Sequence, residues 1–269
     1  FYLGKLVSQE WTNNLDLTKE VQLGAFTKPL FVAAGLEYRK NRYEIGLGDQ
    51  ASYIIGTATV PVGQSTGVGT PAAGGAQGVS GFGPLSAGVF SRSNWSAYIN
   101  LEQSIGDKID LSLAGRHEDY SDFGTADTAK ISGRFAPIEE FAVRATASTG
   151  FRAPSLPQQH YASSSTIGVL LPGATSTVLY PVQLLPPDSP AAMALGAKPL
   201  EPEKSTNYSV GFVAKPLSGL SLTLDVYQIK IKDRIMQSAT LGGSPVSVQL
   251  AVSAALRTAG VNPNQAAFY

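Results

Sequence analysis

The sequence predicts an all-β chain of antiparallel hairpins patterned as a transmembrane β-barrel. Three observations carry that expectation. Eight segments alternate apolar and polar residues with a period of two. The connections between them alternate between tight turns and loops of some 40 residues. The longest apolar runs, residues 30–36 and 191–197, are seven residues long with Gly counted. A membrane helix needs about 20, whereas a barrel strand alternates and never shows a long apolar run.

The strands are taken in order. Residues 12–17 and 30–39 give the first hairpin. In 95–103, Trp95, Ala97, Ile99 and Leu101 face away from Ser96, Tyr98, Asn100 and Glu102. In 108–120, Ile109, Leu111 and Leu113 oppose Asp110, Ser112, Arg116 and Glu118. Residues 130–135 follow, and then 141–152, where Phe141, Val143, Ala145 and Ala147 oppose Arg144, Thr146 and Ser148. The last two are 207–214 and 220–226, the latter with Leu220, Leu222, Leu224 and Val226 against Ser221, Thr223 and Asp225. Turn residues mark the short connections at Gly106-Asp107, at 137–140 and at 216–219. A soluble sandwich also alternates, but loops of this length at every second connection are uncommon in compact domains.

The long loops, about 46–88, 154–202 and 236–264, have a composition of their own. Twelve of the 28 glycines lie in 46–88 and nine of the 17 prolines in 154–202. No Asp, Glu, Lys or Arg occurs between Asp49 and Arg92, nor between Arg152 and Asp188. Such stretches read as mobile surface loops before they read as ordered binding lids. Within the last loop, Val248, Ala251, Val252, Ala255 and Leu256 have helical spacing, and Gly260 suits a C-cap, which predicts a short helix over 246–260.

Composition excludes several functions. With 20 Lys+Arg against 20 Asp+Glu, formal net charge is zero, so nothing favours nucleic-acid binding. The absence of Cys removes disulfides, cysteine metal sites and thiol nucleophiles. The stretch GVGTPA at 67–72 lacks the third glycine of a dinucleotide loop, and no Walker lysine follows a glycine run, so no cofactor is expected. An enzyme of the outer membrane would need a His-containing constellation at the rim, and only His117 and His160 are available. His117 falls on the lipid-facing register of its strand, so no enzyme is expected.

Four blocks then stand in order: RHEDYSDFG (116–124), GFRAPSLPQQHY (150–161), LEPEKSTNYSVGF (200–212) and IKIKDRI (229–235). Together they resemble the barrel of TonB-dependent outer-membrane receptors, over roughly 2–269 and most tightly over 95–235. The resemblance implies a barrel of about 22 strands closed by an N-terminal plug. It also implies uptake of a scarce nutrient, with energy delivered through TonB. The ligand it points to first is a ferric siderophore, with haem, cobalamin or a glycan as the alternatives within the family. A passive pore or adhesin-like barrel is the alternative outside it. Implied partners are outer-membrane lipid, the plug domain, TonB and the ligand, and the implied location is the bacterial outer membrane.

Two departures shape the expectation. Nothing in 1–269 resembles a plug, and eight strands are too few for such a barrel. The chain therefore reads as an internal arc of one, with Phe268-Tyr269 entering a ninth strand. A closed eight-stranded barrel is the geometric alternative.

By alternation, Glu37, Arg39, Asn100, Glu102, Asp110, Arg116, Glu118, Lys130, Arg134 and Arg144 face the lumen, where they hold a plug or meet a ligand. Trp95, Phe135, Phe141, Tyr208 and Phe212 face lipid as interface girdles. His160 and Tyr161 are candidate ligand contacts at the outer rim, since both side chains can ligate haem iron. Members of the family that take haem resemble this chain in carrying a His after the Phe-Arg-Ala-Pro block, but they also have an Asn-Pro-Asn-Leu block downstream, where this sequence reads Ala197-Lys198-Pro199-Leu200. Arg152 could meet an anionic ligand or pair with a neighbouring strand. Glu118, Asp119, Asp122 and Asp127 form an oxygen-rich group at a strand end, without EF-hand spacing, and read as a solvated acidic rim.

Overall fold

The computed structural model describes residues 2–54, 57–59, 80–170, 177–238, 254–258 and 260. Eight strands form one antiparallel sheet: β1 (Lys5–Val21), β2 (Leu30–Gly46), β3 (Gly88–Ile105), β4 (Ile109–Tyr120), β5 (Gly124–Ile138), β6 (Phe141–Arg152), β9 (Glu203–Leu217) and β10 (Leu220–Lys232). Their spatial order is their chain order, β1-β2-β3-β4-β5-β6-β9-β10. Between β6 and β9 the chain forms α1 (Leu156–His160), a separate hairpin of β7 (Ser163–Leu170) and β8 (Thr177–Leu184), and α2 (Pro190–Ala194). The sheet is barrel-like but open. Among the described residues β1 pairs only with β2, and β10 only with β9, so these strands do not close an eight-stranded barrel.

Each of the eight alternating segments lies on one of the eight strands of the sheet. The β7–β8 hairpin and the two short helices were not expected. They make the connection between β6 and β9 a built excursion rather than a plain loop. Of the helix expected over 246–260, the described part, 254–258, is helical, and Gly260 adopts φ +75°. The expected ninth-strand entry at 268–269 lies outside the described residues.

Register sorts the side chains into two faces. Leu15, Leu36, Ala97, His117 and Asp127 are successive partners across β1 to β5, and Ile131 pairs with Ala147, which pairs with Tyr208. This face carries most of the sheet's large exposed apolar side chains, among them Leu15, Leu36, Ile99, Leu113, Ile131, Val210 and Val226. Water would not tolerate so wide an apolar surface, whereas hydrocarbon requires it. Aromatic side chains bound it. At one end Trp11, Tyr38 and Trp95 pack in a row, the first pair edge-on and the second tilted, with ring centroids 5.8 and 4.5 Å apart. At the other, Phe135 lies near the turn, and Phe141 and Phe212 stack at 6.2 Å.

The faces exchange character beyond the Trp11–Tyr38–Trp95 row. On β2, Lys40, Arg42 and Glu44 continue the apolar side, while Tyr43 and Ile45 turn to the polar side and are 4% and 2% exposed. On β10, Gln228, Lys230 and Lys232 continue the line of Leu222, Leu224 and Val226. Ile229 and Ile231 take the opposite face, with Asp225. A strand that passes from hydrocarbon into water swaps its apolar side where its surroundings swap, and this inversion has that pattern.

The turns sit at the opposite end. Gly219 adopts φ +82° in the β9–β10 turn, a conformation that favours a residue without Cβ. Lys28 Nζ lies 2.8 Å from Asp107 in the β3–β4 turn, and this contact holds the Asp107 carboxyl below the usual carboxylate value.

Candidate functional site

Two arrangements of polar side chains stand out: a ladder along the polar face and a packed rim at its outer end. The ladder begins on β1–β3, where the Tyr98 hydroxyl donates to Asp16 at 2.6 Å across Gly35. A Cβ on Gly35 would strike the Tyr98 ring, so the close approach requires glycine. Arg116 on β4 is the hub. It donates to Glu118 (2.7 Å), Ser96 (2.7 Å) and Glu37 (3.3 Å). Glu37 also accepts from Arg39 at 2.9 Å. Glu118, 9% exposed, accepts further bonds from Asn94 (3.0 Å) and Tyr120 (2.7 Å). Charge-assisted bonds of this length are the strong class, and they satisfy a carboxylate that burial would otherwise penalise.

The ladder continues to β10. Arg134 donates to Asp110 at 3.1 Å, and Ser104 to the same carboxylate at 2.7 Å. Arg144 reaches from β6 across β9 to Asp225 on β10, with bidentate bonds of 2.9 and 2.6 Å. It passes over Gly211, where a Cβ would collide with Asp225. Thus Arg116, Glu118, Arg134 and Arg144 share one face, each with a named partner. A shallow hollow on this face is lined by Tyr98, Asn100, Arg116 and Lys130.

At the rim, the segment after β6 folds back over β2 and β3. Ser155 caps α1 by accepting from the Gln158 amide at 3.2 Å, and the Gln158 side chain accepts in return from the Ser155 amide at 3.0 Å. The turn drives Leu156, 5% exposed, between Tyr43 and Ile45, with Phe82, Phe90 and Tyr161 around them. His160 stacks flat on Phe90, with centroids 4.0 Å apart and planes at 4°. Tyr161 meets Phe82 edge-on at 6.0 Å. Burial pushes the His160 imidazole below its ordinary 6.5, against a smaller opposing pull from Asp188 and Asp122. A second tie is Arg92, which donates to the Pro154 carbonyl at 2.6 Å, contacts Asp122 at 3.4 Å and lies over the Tyr120 ring at 5.3 Å. Asp122 accepts from Gln159 as well, at 3.0 Å.

The three candidate ligand contacts therefore do not form one constellation. His160 and Tyr161 belong to the rim cluster. Arg152 makes bidentate bonds to Glu203 at 2.9 and 2.8 Å, and Glu203 also accepts from the Ile235 amide at 2.9 Å. The oxygen-rich group is divided too. Glu118 serves Arg116, Asp122 serves Arg92, and Asp127 lies 2.6 Å from His117 on the apolar face. Among the described residues, no set of three or more His, Cys, Asp and Glu side chains is placed to hold a metal ion. Sequence reading missed Arg92 and Asp225. Asp225 was legible as the polar member of its strand, but its partner two strands away was not.

The sequence pattern of the family described as "TonB dependent receptor-like, beta-barrel" matches residues 2–262. No curated protein matches the chain. Among solved structures, the siderophore receptor PirA of Pseudomonas aeruginosa superimposes with a TM-score of 0.58 at 14% identity, over 91% of this chain and 36% of that one. The siderophore receptor PirA of Acinetobacter baumannii gives 0.52 at 19% identity, over 86% and 28%. The ferric enterobactin receptor PfeA of P. aeruginosa, in complex with BCV-L6, gives 0.56 at 16% identity, over 90% and 29%. At these identities the likeness is one of fold, and the chain spans only 28–36% of the length of these receptors. Since the family pattern covers nearly all of it, the chain belongs to the TonB-dependent receptor β-barrel family.

Proposed function

We propose that this chain is an arc of an outer-membrane receptor barrel that takes up a ferric siderophore, with energy supplied through TonB. The observation that carries the reading is the family match over 2–262, on a sheet with one face apolar between two aromatic belts. Receptors of this fold include one described in complex with enterobactin, which supports a siderophore as the ligand class. The chain, 1–269, is one partial barrel domain, and its plug and TonB-contacting segment belong to the rest of the receptor. No covalent chemistry is required of it.

In this reading the turns at Gly106, Glu140 and Gly219 are periplasmic, and the long connections, about 46–88, 154–202 and 236–264, are extracellular. The polar ladder faces the lumen. Arg116, Glu118, Arg134 and Arg144 form its wall against the plug, and their internal pairing keeps that wall rigid without fixing charges on the plug. Arg152 holds β6 to β9. His160 and Tyr161 fasten the outer loop to the wall, so the loop captures the ligand and these residues set where it stands.

The test is uptake of radio-iron as a ferric catecholate siderophore by iron-starved cells. Deleting the gene that encodes this chain, or removing TonB function, should abolish that uptake, and restoring the gene should return it. Unchanged uptake in the deletion strain would contradict the ligand class. Uptake that needs the gene but not TonB would make the barrel a passive pore.

A further inference from the structure

The apolar face of β9 and β10 ends in three lysines. Lys232 is the direct register partner of Lys204, and Lys230 lies two residues away on the same face. All three are exposed. Among the described residues, which include every Asp and Glu of the chain, no carboxylate lies within ion-pairing distance of any of them. Like charges placed directly opposite on a sheet destabilise it. Past the inversion on β1–β2 the cations are placed differently. There Lys5 and Arg42 both pair with Glu44, each at 2.6 Å, so the cations are neutralised within the sheet.

The position of the three lysines is informative. They follow Val226 and Gln228 on β10, and on β9 they lie beyond Tyr208, just past the inversion that marks the edge of the apolar band. Lysine stems can lie along apolar surface while the ammonium groups reach the headgroup layer. We propose that Lys204, Lys230 and Lys232 form a docking surface for phosphate-bearing lipid headgroups at the outer boundary of the membrane. The complement to three uncompensated ammonium groups is a multiply charged anion, and a phosphate monoester on a membrane-anchored lipid supplies it at that level. This inference rests on the membrane-barrel reading above.

The full receptor carrying this chain, purified from outer membranes in a neutral detergent, is titrated with phosphatidic acid, phosphatidylcholine or inorganic phosphate and followed by native mass spectrometry. The variants are Lys204→Gln/Lys230→Gln/Lys232→Gln, the same three positions to Arg, and Lys5→Gln/Arg42→Gln. Wild type, the arginine variant and the Lys5/Arg42 variant should bind phosphatidic acid alike and in preference to phosphatidylcholine. The glutamine variant should lose about fivefold for each charge removed. Equal binding by the glutamine variant overturns the proposal, as does a wild type without adducts, which is expected if an acidic strand beyond β10 neutralises the lysines. Binding of inorganic phosphate as tight as that of phosphatidic acid also overturns it, since the site would then serve a soluble anion. In each of these cases recovery of the protein in the outer-membrane fraction leaves the barrel reading standing. Absence from that fraction removes both.

Discussion

Arg116 shows what a single residue does on the polar face. Its guanidinium ties β4 to β2 and β3 through Glu37 and Ser96, and it neutralises Glu118, which is 9% exposed. Arg116→Leu leaves that carboxylate with only neutral donors, and the expected loss is about 2 kcal/mol in urea unfolding followed by Trp fluorescence in lipid vesicles. Arg116→Leu/Glu118→Leu should recover much of it, because an apolar pair of similar volume has no buried charge to satisfy. His160 makes a prediction of the other kind. Its folded pKa lies below 6.5, so the packed ring favours the neutral form. Rim docking is therefore at full strength above the unfolded value of about 6.5 and weakens as pH falls below it, since the undocked loop takes up a proton that the stacked ring refuses. Hydrogen exchange of 155–161 should speed up more on acidification in wild type than in His160→Phe, after correction for intrinsic rates. Equal responses would contradict the stacked arrangement.

At the scale of the strand, the alternation is the whole instruction, and it also explains where sequence reading stopped. The predicted strands 30–39, 95–103 and 220–226 belong to observed strands Leu30–Gly46, Gly88–Ile105 and Leu220–Lys232. In each, the outer end of the expected segment falls close to the inversion of faces, at Arg39, Trp95 and Val226. Beyond it the strand continues, but Tyr43, Ile45, Phe90, Ile229 and Ile231 are out of phase with the apolar residues below. A reading that assumes one apolar side loses the pattern there. The rim cluster was not legible, because Leu156 meets Tyr43 and Ile45 from more than a hundred residues away. The β7–β8 hairpin was not legible either, because uncharged serine- and valine-rich sequence reads equally well as loop. The face assignment itself makes a sharp prediction. Ile131→Lys on β5 places a charge on the lipid side and should cost about 2–4 kcal/mol if near the midplane. The next residue, changed as Ser132→Lys, points to the polar face and should fold and insert nearly as wild type. Heat-modifiable mobility of outer-membrane fractions separates the two.

For the whole molecule, the open sheet is the governing fact. Among the described residues β1 and β10 each present one unpaired edge, 17 and 13 residues long, and hydrocarbon does not accept unpaired backbone groups. Such an arc is stable in a membrane only when further strands pair with both edges. The matched receptors, of which the chain spans 28–36%, contain ample chain to do so. In the proposed function the division of labour would follow from this geometry: lipid contact on one face, an internally paired wall on the other, and the rim cluster fastening the loop after β6 to that wall.

The most direct test of that account is topology in intact cells. The chain has no Cys, so a cysteine introduced into this segment has no native competitor within it. Ser189→Cys, beside α2, and Ser218→Cys, in the β9–β10 turn, are made in the full receptor and exposed to a membrane-impermeant maleimide. The account predicts labelling at 189 in intact cells, and at 218 only after the outer membrane is permeabilised. Labelling at 218 in intact cells, with 189 protected until permeabilisation, would contradict the orientation. Labelling of both in intact cells would contradict the membrane-spanning sheet itself.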